Sequence, residues 1–462
     1  MEQSIAFDGN NTTVHMVGIG GISMSGLAEI LMNKNVKISG SDINTSEITD
    51  RLKAMGAAIY PSHEASNIKD QNLVVYTAAV AQDNPELVEA RKRGIPVIER
   101  SELLGAIMDQ FEHSIAVSGT HGKTTTTSMI SAITLEAGLD PTIHVGGILN
   151  LIGGNTRIGN GTYFVAEACE YKDSFLKFRP YLAIVLNIDA DHLDYFKDID
   201  HIRSSFETFL GNVKTPGHVV LNLDDPQTKL LSKSLTRPVI TYGIHSPEAD
   251  WTAENITFDG GYGAFTAIYK KAVWAQVKLS VPGMHNISNA LAAIAACHAL
   301  DIPQKAILKG LEQFKGTHRR LEDKGTVHGV RVMDDYAHHP TEVQATLTAA
   351  RSLTQGRLFC VFQPHTYTRT YELLDDFSRA FAQADTVIIT DIYAAREKDT
   401  GLINSRILTE RINMNTGNAV YISRFEDIVT FLEENAQAGD LVLTMGAGSI
   451  YKAGELYLAS KA

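Results

Sequence analysis

The first hundred residues alternate between short apolar runs and stretches in which apolar residues recur at helical spacing. The apolar runs fall at 14–17, 36–39, 73–76 and 95–98, and the segment after the first run has helical periodicity through Leu31. A run of about four apolar residues is typical of a buried strand, whereas a 3.6-residue period is typical of an amphipathic helix. The pattern therefore predicts a parallel sheet with helices on its faces.

A second unit begins near Ser114 and continues the alternation into a stretch richer in strand-forming residues. Its predicted elements are strands at 115–117, 163–166 and 182–187, a helix at 123–137, a β-rich stretch at about 219–279 and a helix at 286–300. The end of the first helix is marked by Gly138, a residue that favours a helix C-terminus. We expect a second α/β unit that includes this β-rich stretch and is closed by the helix at 286–300.

The remaining chain repeats the strand and helix alternation from about Arg331. Its strand-like runs fall at 332–333, 358–362, 386–390, 420–421 and 441–444. The length of 462 residues agrees with three units, because domains average roughly 150 residues. Three α/β units in series are therefore predicted.

Composition narrows the possible functions. The net charge of −12 argues against a broad nucleic-acid-binding surface, since such surfaces need clustered lysine and arginine. The three cysteines form neither a metal-binding spacing nor a disulfide framework. No apolar run reaches the ~18 residues of a membrane span, and the N-terminus lacks the pattern of a secretion signal. We expect a cytoplasmic protein that does not insert into membranes.

Residues 119–125 carry the strongest candidate chemistry. The segment, Gly-Thr-His-Gly-Lys-Thr-Thr, lies between a predicted strand and a predicted helix. In such loops backbone amides, the helix N-terminus and a lysine hold the phosphates of a nucleotide. We therefore predict an ATP site formed by Gly119, Thr120, His121, Gly122, Lys123, Thr124 and Thr125. The loop is two residues shorter than the common GxxxxGK[ST] pattern, and the alternative is a structural turn with a surface lysine.

Nucleotide phosphates are usually bound together with Mg²⁺, which needs oxygen or other hard ligands from the protein. The Thr124 hydroxyl is one candidate. Glu167 and His192 follow the predicted strands at 163–166 and 182–187, so they are expected at the edge of the sheet where α/β proteins bind ligands. Each residue alone is more often a helix cap or a solvated strand end.

A second glycine loop precedes the first predicted helix. Gly18, Gly20 and Gly21 are followed by Ser23 where the dinucleotide fingerprint has its third glycine, and Asp42 lies about 20 residues further on. The loop favours a nucleotide diphosphate at the helix N-terminus. A nicotinamide cofactor and a purely structural turn are the alternatives.

The motifs in their order along the chain resemble those of the Mur ligases of peptidoglycan synthesis. The resemblance covers essentially the whole chain and is carried by residues 18–21, 119–125, 187–192, 283–290, 334–340 and 362–370. It implies a Rossmann-like domain at 1–108 for a UDP-sugar and a central ATP-binding domain at 109–316 with a mainly parallel sheet. It further implies a Rossmann-like domain at 317–462 for an amino acid.

The activity implied by the resemblance is ATP-dependent amide-bond formation through an acyl phosphate. Among the family's reactions, the motifs are most similar to those of members that join L-alanine to the lactyl carboxylate of UDP-N-acetylmuramate. ATP and Mg²⁺ are the implied cofactors, and Mn²⁺ is expected to substitute for Mg²⁺. The implied partners are these small molecules, with no nucleic acid or membrane, in a monomer or weak homodimer.

The resemblance also assigns roles to single residues. Lys123 matches the lysine that neutralises the transferred phosphoryl group, and Thr124, Glu167 and His192 match metal-binding positions. Further matches are Asn286 and Asn289 for ATP, Arg320 for ATP at the hinge, Asp335 for ATP from the third domain, His338 for the amino acid, Arg369 for the amino acid and the UDP-sugar, and His192, Gly18, Gly20, Gly21, Ser23 and Asp42 for the UDP-sugar. Because Arg319 adjoins Arg320, the hinge assignment could belong to either residue.

Two positions depart from the family pattern. Glu207 follows His192 at the spacing at which several relatives carry a carbamylated lysine, so we expect its carboxylate to bind a second Mg²⁺. Thr366 stands where many relatives have arginine, which leaves Arg369 to carry more of that contact. The alternatives within and outside the family are a ligase that attaches a whole tripeptide, a nucleotide-regulated binding module, and an oxidoreductase that uses the first glycine loop.

Overall fold

The structure is a computed structural model that describes residues 9, 12–395, 397–399 and 401–460. The sequence predicts no secretion signal at the N-terminus. The first eight residues of that segment lie outside the described part of the chain. Three separate sheets, each covered by helices, confirm the predicted three-domain α/β fold class. No described helix is long and apolar enough to cross a lipid bilayer.

The first domain is a five-stranded parallel sheet with strand order 3-2-1-4-5, as in Rossmann-like folds. Its elements are β1 (Thr13–Val17), α1 (Ile22–Asn33), β2 (Lys37–Ser41), α2 (Glu47–Ala54), β3 (Ala58–Tyr60), β4 (Leu73–Tyr76), α3 (Pro85–Lys92), β5 (Val97–Glu99) and α4 (Arg100–Met108). The strand order reverses beside β1, so the loop that follows β1 opens at the usual ligand-binding position of such sheets.

The central domain contains a ten-stranded sheet with parallel strands in its middle and antiparallel strands at both ends. Its elements are β6 (His113–Ser118), α5 (Lys123–Glu136), β7 (Thr142–Leu149), β8 (Gly154–Arg157), β9 (Tyr163–Glu167), β10 (Leu182–Val185), α6 (Ile199–Gly211), β11 (His218–Asn222), α7 (Pro226–Ser234), β12 (Val239–Tyr242), β13 (Trp251–Asp259), β14 (Tyr262–Tyr269), β15 (Ala272–Pro282), α8 (Met284–Ala299) and α9 (Gln304–Gln313). Among the described residues, short 3-10 helices lie at Ala65–Asn67 in the first domain and at Asn150–Ile152 and Tyr171–Lys177 in the central domain.

The third domain is a six-stranded sheet in which β16 pairs antiparallel to β17 and the other neighbours are parallel. Its elements are β16 (Glu322–Val327), β17 (Val330–Asp335), α10 (Pro340–Ser352), β18 (Leu358–Phe362), α11 (Tyr367–Glu372), α12 (Leu374–Ala380), β19 (Thr386–Ile389), α13 (Ser405–Asn413), β20 (Ala419–Tyr421), α14 (Phe425–Asn435), β21 (Leu441–Met445) and α15 (Tyr451–Ala459). The strands of the three sheets span 13–99, 113–282 and 322–445, and the domain boundaries at 108 and 316 remain predictions.

The register of the central sheet places the predicted site residues at one edge. β6 lies between β9 and β10, and Val117 of β6 pairs with Glu167 at the end of β9. Since all three strands are parallel, their carboxyl ends meet around the N-terminus of α5. The buried side chains of β6 and β10 pack against α5 and α8 in one apolar core, which fixes that helix N-terminus against the sheet.

Candidate active site

The loop at 119–125 connects β6 to α5 in the conformation expected of a phosphate-binding loop. Gly119 and Gly122 have φ angles of +134° and +82°, which side chains other than glycine rarely adopt. A Cβ atom at Gly122 would lie 2.7 Å from Oδ1 of Asn289 on α8, so the second glycine also permits close packing. Gly122 is the N-cap of α5, which leaves the first amides of the helix available to an anion.

Lys123 points back over this loop instead of into solvent. Its ammonium donates to the carbonyls of Gly119 and Thr120 at 2.5 and 3.0 Å and contacts both carboxylate oxygens of Glu170 at 3.0 and 3.1 Å. Burial lowers the pKa of Lys123, but the neighbouring acidic groups, led by Glu170, together outweigh burial and hold the pKa above its ordinary value. Lys123 is therefore a fixed cation beside the loop.

Thr124 and Glu167 lie on either side of one glycine pair in β7. The amide of Gly146 donates to Oε1 of Glu167 at 2.8 Å, and a Cβ atom at Gly147 would lie 3.3 Å from the Thr124 methyl group. The structure thus brings a hydroxyl and a carboxylate to the start of α5. Both are hard oxygen donors of the kind that Mg²⁺ prefers, so these residues fit the ion.

A cavity of about 570 Å³ opens beside the loop, between the central and third domains. This volume is in the range of ligand pockets. The predicted site residues that line it are His121, Gly122, Thr125, Asn286, Asn289, Arg320 and Asp335. The side-chain amide of Asn286 donates to the carbonyl of Pro282 at 2.7 Å, and the side-chain amide of Asn289 donates to Oδ1 of Asn286 at 3.1 Å. The two asparagines are therefore held in place in the first two turns of α8.

The structure distinguishes the two adjacent hinge arginines. Arg319 forms an ion pair with Asp334 at 2.8 Å and donates to the carbonyls of Gly446 and Gly448, so its charge is used within the third domain. Arg320 lines the cavity instead, where its closest described carboxylate is Glu342 at 3.8 Å. Of the two, Arg320 is the residue positioned to meet a ligand.

Asp335 enters the same cavity from the end of β17. Its carboxylate accepts hydrogen bonds from the amides of Leu321 and Ala337 at 2.8 and 2.7 Å. Burial raises the pKa of Asp335 to about 6, although Arg320 acts in the opposite direction. The group is therefore a poorly solvated carboxylate on the third-domain wall of the cavity.

His192 and Arg369 lie in a small adjoining cleft between the same two domains. Arg369 contacts Oδ1 of Asp191 through Nη2 at 2.8 Å and Nε at 3.1 Å, while the His192 ring lies 4.6 Å from the Tyr171 ring. Thr366 caps α11 by accepting from the Arg369 amide at 3.4 Å. The residue that replaces the family arginine therefore supports the helix that carries Arg369.

His338 lies at the start of the segment that leads into α10. Its Nδ1 is 3.0 Å from Tyr336 O and 3.4 Å from Oε2 of Glu342, and its amide donates to the same Oε2 at 3.2 Å. Burial lowers the pKa of His338 to about 3 against the opposing effect of Glu342. The imidazole is therefore neutral at this position.

The glycine loop of the first domain, at residues 18–21, is held by a hydrogen bond to Asp42. The Gly20 amide donates to Oδ2 of Asp42 at 2.9 Å, and Gly18 has a φ of +80°. Gly21 caps α1. Ser23, in contrast, is held by the neighbouring domain, since its hydroxyl is 2.8 Å from Nε2 of His144.

Arg100 also donates to the Ser23 hydroxyl, at 2.8 Å. Both polar partners of Ser23 are thus supplied by residues beyond the first glycine loop. The loop glycines and Asp42 lie together at the N-terminus of α1, whereas Ser23 contributes a contact between domains.

The structure does not bring Glu207 to the other predicted metal ligands. On α6 the side chains of Phe206 and Phe209 face the core, so Glu207 points outward, where its carboxylate accepts from the Ser234 hydroxyl at 2.8 Å. The expected role of Glu207 in binding a second Mg²⁺ is therefore not supported by its position. Spacing along the chain could not show which face of the helix the residue occupies.

Three residues with close contacts to the predicted site were missed from the sequence. Glu170 pairs with Lys123, Asp191 pairs with Arg369, and Glu342 contacts His121, Arg320 and His338. The four-residue spacing of His338 and Glu342 across a predicted helix start was the one available signal for Glu342. Nothing local marked Glu170 or Asp191, because their partners are distant in sequence.

Comparison with known proteins agrees with this geometry. Residues 13–112 match the model of the Mur ligase family, catalytic domain, residues 117–297 match the Mur ligase middle domain, and residues 319–448 match the Mur ligase, glutamate ligase domain. The chain belongs to the Mur ligase family. Mur ligases are enzymes that use ATP and Mg²⁺ with small-molecule substrates.

Individual relatives match over nearly their full lengths. The chain is 58% identical to UDP-N-acetylmuramate–L-alanine ligase of Acetivibrio thermocellus, over 100% of this chain and 99% of the relative. It is 53% identical to the ligase of the same name from Clostridium tetani, over 96% and 97%.

Solved structures give the same result for the fold. The UDP-N-acetylmuramate-alanine ligase of Thermotoga maritima is 29% identical with a TM-score of 0.81, covering 97% of this chain and 99% of that one. A murein peptide ligase of Psychrobacter arcticus is 26% identical with a TM-score of 0.71, covering 97% and 98%. The Mur ligase membership removes the oxidoreductase and the non-catalytic binding module as alternatives.

Proposed function

We propose that this Mur ligase joins L-alanine to the lactyl carboxylate of UDP-N-acetylmuramate in peptidoglycan precursor synthesis, with cleavage of ATP to ADP and phosphate. The observation that carries the proposal is the cavity in which the loop around Lys123 faces Arg320 and Asp335 at the domain junction. The relatives named for this reaction, at 58% and 53% identity, support the choice of substrates.

Each domain has a separate part in the proposed reaction. Residues 1–108 bind the UDP-sugar through Gly18, Gly20, Gly21 and Asp42, residues 109–316 bind ATP, and residues 317–462 bring L-alanine through His338 and Arg369. His192, in the cleft with Arg369, completes the sugar site, and Ser23 supports that site from the domain contact. This assignment places the UDP diphosphate at the N-terminus of α1 and the triphosphate at the N-terminus of α5.

The first chemical step is transfer of the γ-phosphoryl group of ATP to the lactyl carboxylate. Lys123 neutralises charge on the phosphoryl group as it moves, while the loop amides, Arg320 and the Asn286–Asn289 pair orient the nucleotide. Phosphoryl transfer depends mainly on such positioning and electrostatics. Thr124, Glu167 and His192 would bind Mg²⁺, or Mn²⁺ in its place, and the ion would supply further neutralisation of phosphate charge.

In the second step, the neutral amine of L-alanine attacks the acyl carbon, and phosphate leaves. His338, a neutral imidazole, would orient the amine, and the proton that the amine releases passes to the departing phosphate or to water. Closure of the third domain over the central domain brings amine and acyl phosphate together and protects the acyl phosphate from water. We propose that the protein acts in the cytoplasm as a monomer or weak homodimer, and light scattering after gel filtration checks the oligomeric state.

Release of ADP by the purified protein tests the proposal. We expect release to require both UDP-N-acetylmuramate and L-alanine, and Lys123→Ala to abolish it. Release that is independent of either substrate would contradict the ligase assignment. Replacing L-alanine with the tripeptide L-alanyl-γ-D-glutamyl-meso-diaminopimelate separates this activity from that of the murein peptide ligases, since a preference for the tripeptide would contradict the proposed substrate.

A further inference from the structure

Three side chains from two domains place metal-binding atoms around one point at the edge of the cavity. His121 of the phosphate loop and Asp189 after β10 belong to the central domain, and His339 is the N-cap of α10 in the third domain. One donor atom from each lies within 4.8 Å of the other two. None of the three has a role in metal binding in the proposed reaction.

The distances are close to those around a bound ion. Nε2 of His121 is 3.2 Å and Nδ1 of His339 is 3.8 Å from the same oxygen, Oδ2 of Asp189. Donor atoms bound tetrahedrally to Zn²⁺ at about 2.0–2.1 Å are separated by roughly 3.4 Å. The two distances to Asp189 are close to this value, and the two ring nitrogens, which lie within 4.8 Å of each other, would move closer when an ion binds.

The other nitrogen of each imidazole has the kind of partner found behind metal-bound histidines. Nδ1 of His121 is 3.4 Å from Oε1 of Glu342, and Nε2 of His339 is 3.2 Å from the carbonyl of Ala190. The Ala190 carbonyl holds the ring proton of His339 on Nε2, whereas His121 has a carboxylate at each ring nitrogen, so an ion at its Nε2 would displace a proton. Both rings are therefore aligned for coordination through the atoms that face Asp189.

Asp189 is itself held in position. Its Oδ2 accepts from the Thr341 hydroxyl at 2.8 Å, and its Oδ1 accepts from the Ala190 amide at 2.8 Å. Nδ1 of His339 also accepts from the Thr341 amide at 3.3 Å, which leaves the ring proton on Nε2, so a bound ion would take the place of this long hydrogen bond. His339 is buried, whereas His121 is half-buried and Asp189 lines the cavity and is partly exposed.

We propose that His121, Asp189 and His339 form a binding site for a divalent transition metal ion such as Zn²⁺, Co²⁺ or Ni²⁺. Two imidazoles and one carboxylate suit these ions, whereas Mg²⁺ prefers oxygen ligands. The site is thus chemically different from the oxygen ligands Thr124 and Glu167. Its fourth position faces the cavity and is open to water or to a phosphate oxygen.

The site links two domains that must separate for ligands to exchange. His339 reaches it only when the third domain lies against the central domain, so a bound ion favours the closed arrangement. Because His121 also belongs to the phosphate loop, the ion and the nucleotide occupy neighbouring positions. The consequence for a Mur ligase is inhibition by Zn²⁺ that excess Mg²⁺ does not reverse.

Titration with Co²⁺ in excess Mg²⁺, followed by visible absorption, tests the site directly. We expect one Co²⁺ per chain with the intense absorption of a four-coordinate ion. His339→Asn removes the imidazole but keeps a side-chain acceptor at the N-cap, and it should abolish that absorption. The control His245→Asn changes an exposed histidine of the central domain and should bind Co²⁺ as the wild type does.

Thr341→Ala provides a milder second variant, because it removes only the hydrogen bond that orients Asp189. Its affinity for Co²⁺ should fall by about tenfold, as for other residues that orient metal ligands. Equal Co²⁺ affinity and equal spectra in the wild type, His339→Asn and Thr341→Ala would overturn the proposal.

An activity measurement completes the test. Zn²⁺ should inhibit ADP release by the wild type at concentrations that leave His339→Asn active, and equal inhibition of both would contradict the site's role in closure. This measurement rests on the proposed function, whereas the absorption titration does not. A protein that binds Co²⁺ through His339 but releases no ADP would contradict the function and leave the metal site supported.

Discussion

Lys123 and Glu170 form a buried ion pair in which the ammonium contacts both carboxylate oxygens at 3.0 and 3.1 Å. Their side chains are only 16% and 3% exposed. Each charge is therefore balanced by the other in the ligand-free protein, and the phosphates of a nucleotide compete with Glu170 for Lys123. The pair couples the strength of phosphate binding to the stability of the central domain.

Lys123→Ala should lower both turnover and stability. The substitution removes the cation that meets the transferred phosphoryl group, and it leaves Glu170 buried without a partner, which costs about 3–5 kcal/mol. The double variant Lys123→Ala/Glu170→Ala should recover part of the free energy of unfolding while remaining inactive. Urea unfolding and ADP release measure the two effects, and a single variant with unchanged stability would contradict the buried pair.

Gly146→Ala should weaken the Mg²⁺ dependence of the reaction without unfolding the protein. A Cβ atom at Gly146 would lie 2.7 Å from Oε2 of Glu167, whose other oxygen accepts from the Gly146 amide. Displacing Glu167 should raise the Mg²⁺ concentration for half-maximal ADP release by about tenfold or more. The control Gly154→Ala, on neighbouring β8, points its new methyl group into open space and should leave that concentration unchanged.

The two hinge arginines should fail in different ways. Arg319→Met breaks a pair with Asp334, whose side chain is 1% exposed, and should lower the free energy of unfolding by about 3–5 kcal/mol. Arg320→Met should lose turnover with little change in stability, because the Arg320 guanidinium is not part of such a buried pair. Thermal melting and ADP release separate these outcomes, and the reverse pattern would reassign the catalytic arginine.

The buried carboxyl of Asp335 should give the protein a measurable pH dependence. Its pKa is about 6 in the folded protein against an ordinary value of 3.8, so between these values the folded state binds the proton more strongly than the unfolded state. The contribution of Asp335 to the free energy of unfolding should therefore fall as pH rises from 3.8 to 6, by about 3 kcal/mol in total.

Asp335→Asn cannot titrate and should lack this slope. The difference in free energy of unfolding between wild type and variant, measured by urea at several pH values, isolates the contribution of this one group. The exposed Asp259→Asn serves as the control, for which the difference should stay constant with pH. A difference that stays constant with pH for Asp335→Asn would show that the pKa of the Asp335 carboxyl is not raised.

The three α/β units were predictable because each rests on local periodicity. Apolar runs such as that at 358–362 became β18 with the predicted bounds, and the strand predicted at 73–76 became β4. The stretch at 219–279 was predicted as β-rich, yet it also contains α7. The helix signals Asp225 and Pro226 were present at its start, and the surrounding strand-forming residues obscured them.

Site residues were predictable where the chemistry is local and less so where it depends on orientation. The phosphate loop that contains Lys123 was predictable because its candidate ligand-binding residues are consecutive in the sequence. In contrast, the choice between Arg319 and Arg320 depends on which of the two side chains pairs within the third domain. The role of Glu207 depends on the face of α6 that carries it. The contact of Glu342 with the phosphate loop arises only from the packing of two domains, which no spacing along the chain encodes.

Asp191→Asn should open the arrangement of the central and third domains. Arg369 reaches across from the third domain to Asp191 through two nitrogens, and both side chains are about 10% exposed. Neutralising Asp191 removes the charge of this contact while keeping its shape. Small-angle scattering of the ligand-free protein should show a larger radius of gyration for Asp191→Asn than for the wild type.

Ligands should reverse that difference, because the proposed ATP and UDP-sugar sites draw on more than one domain, so these ligands would hold the domains together without the ion pair. The control Asp376→Asn alters an exposed pair with Arg379 inside the third domain and should scatter as the wild type does in both states. Identical profiles for Asp191→Asn and the wild type without ligands would mean that the pair does not hold the domains. Domain closure would then depend on the ligands and on contacts such as that between Glu342 and His121.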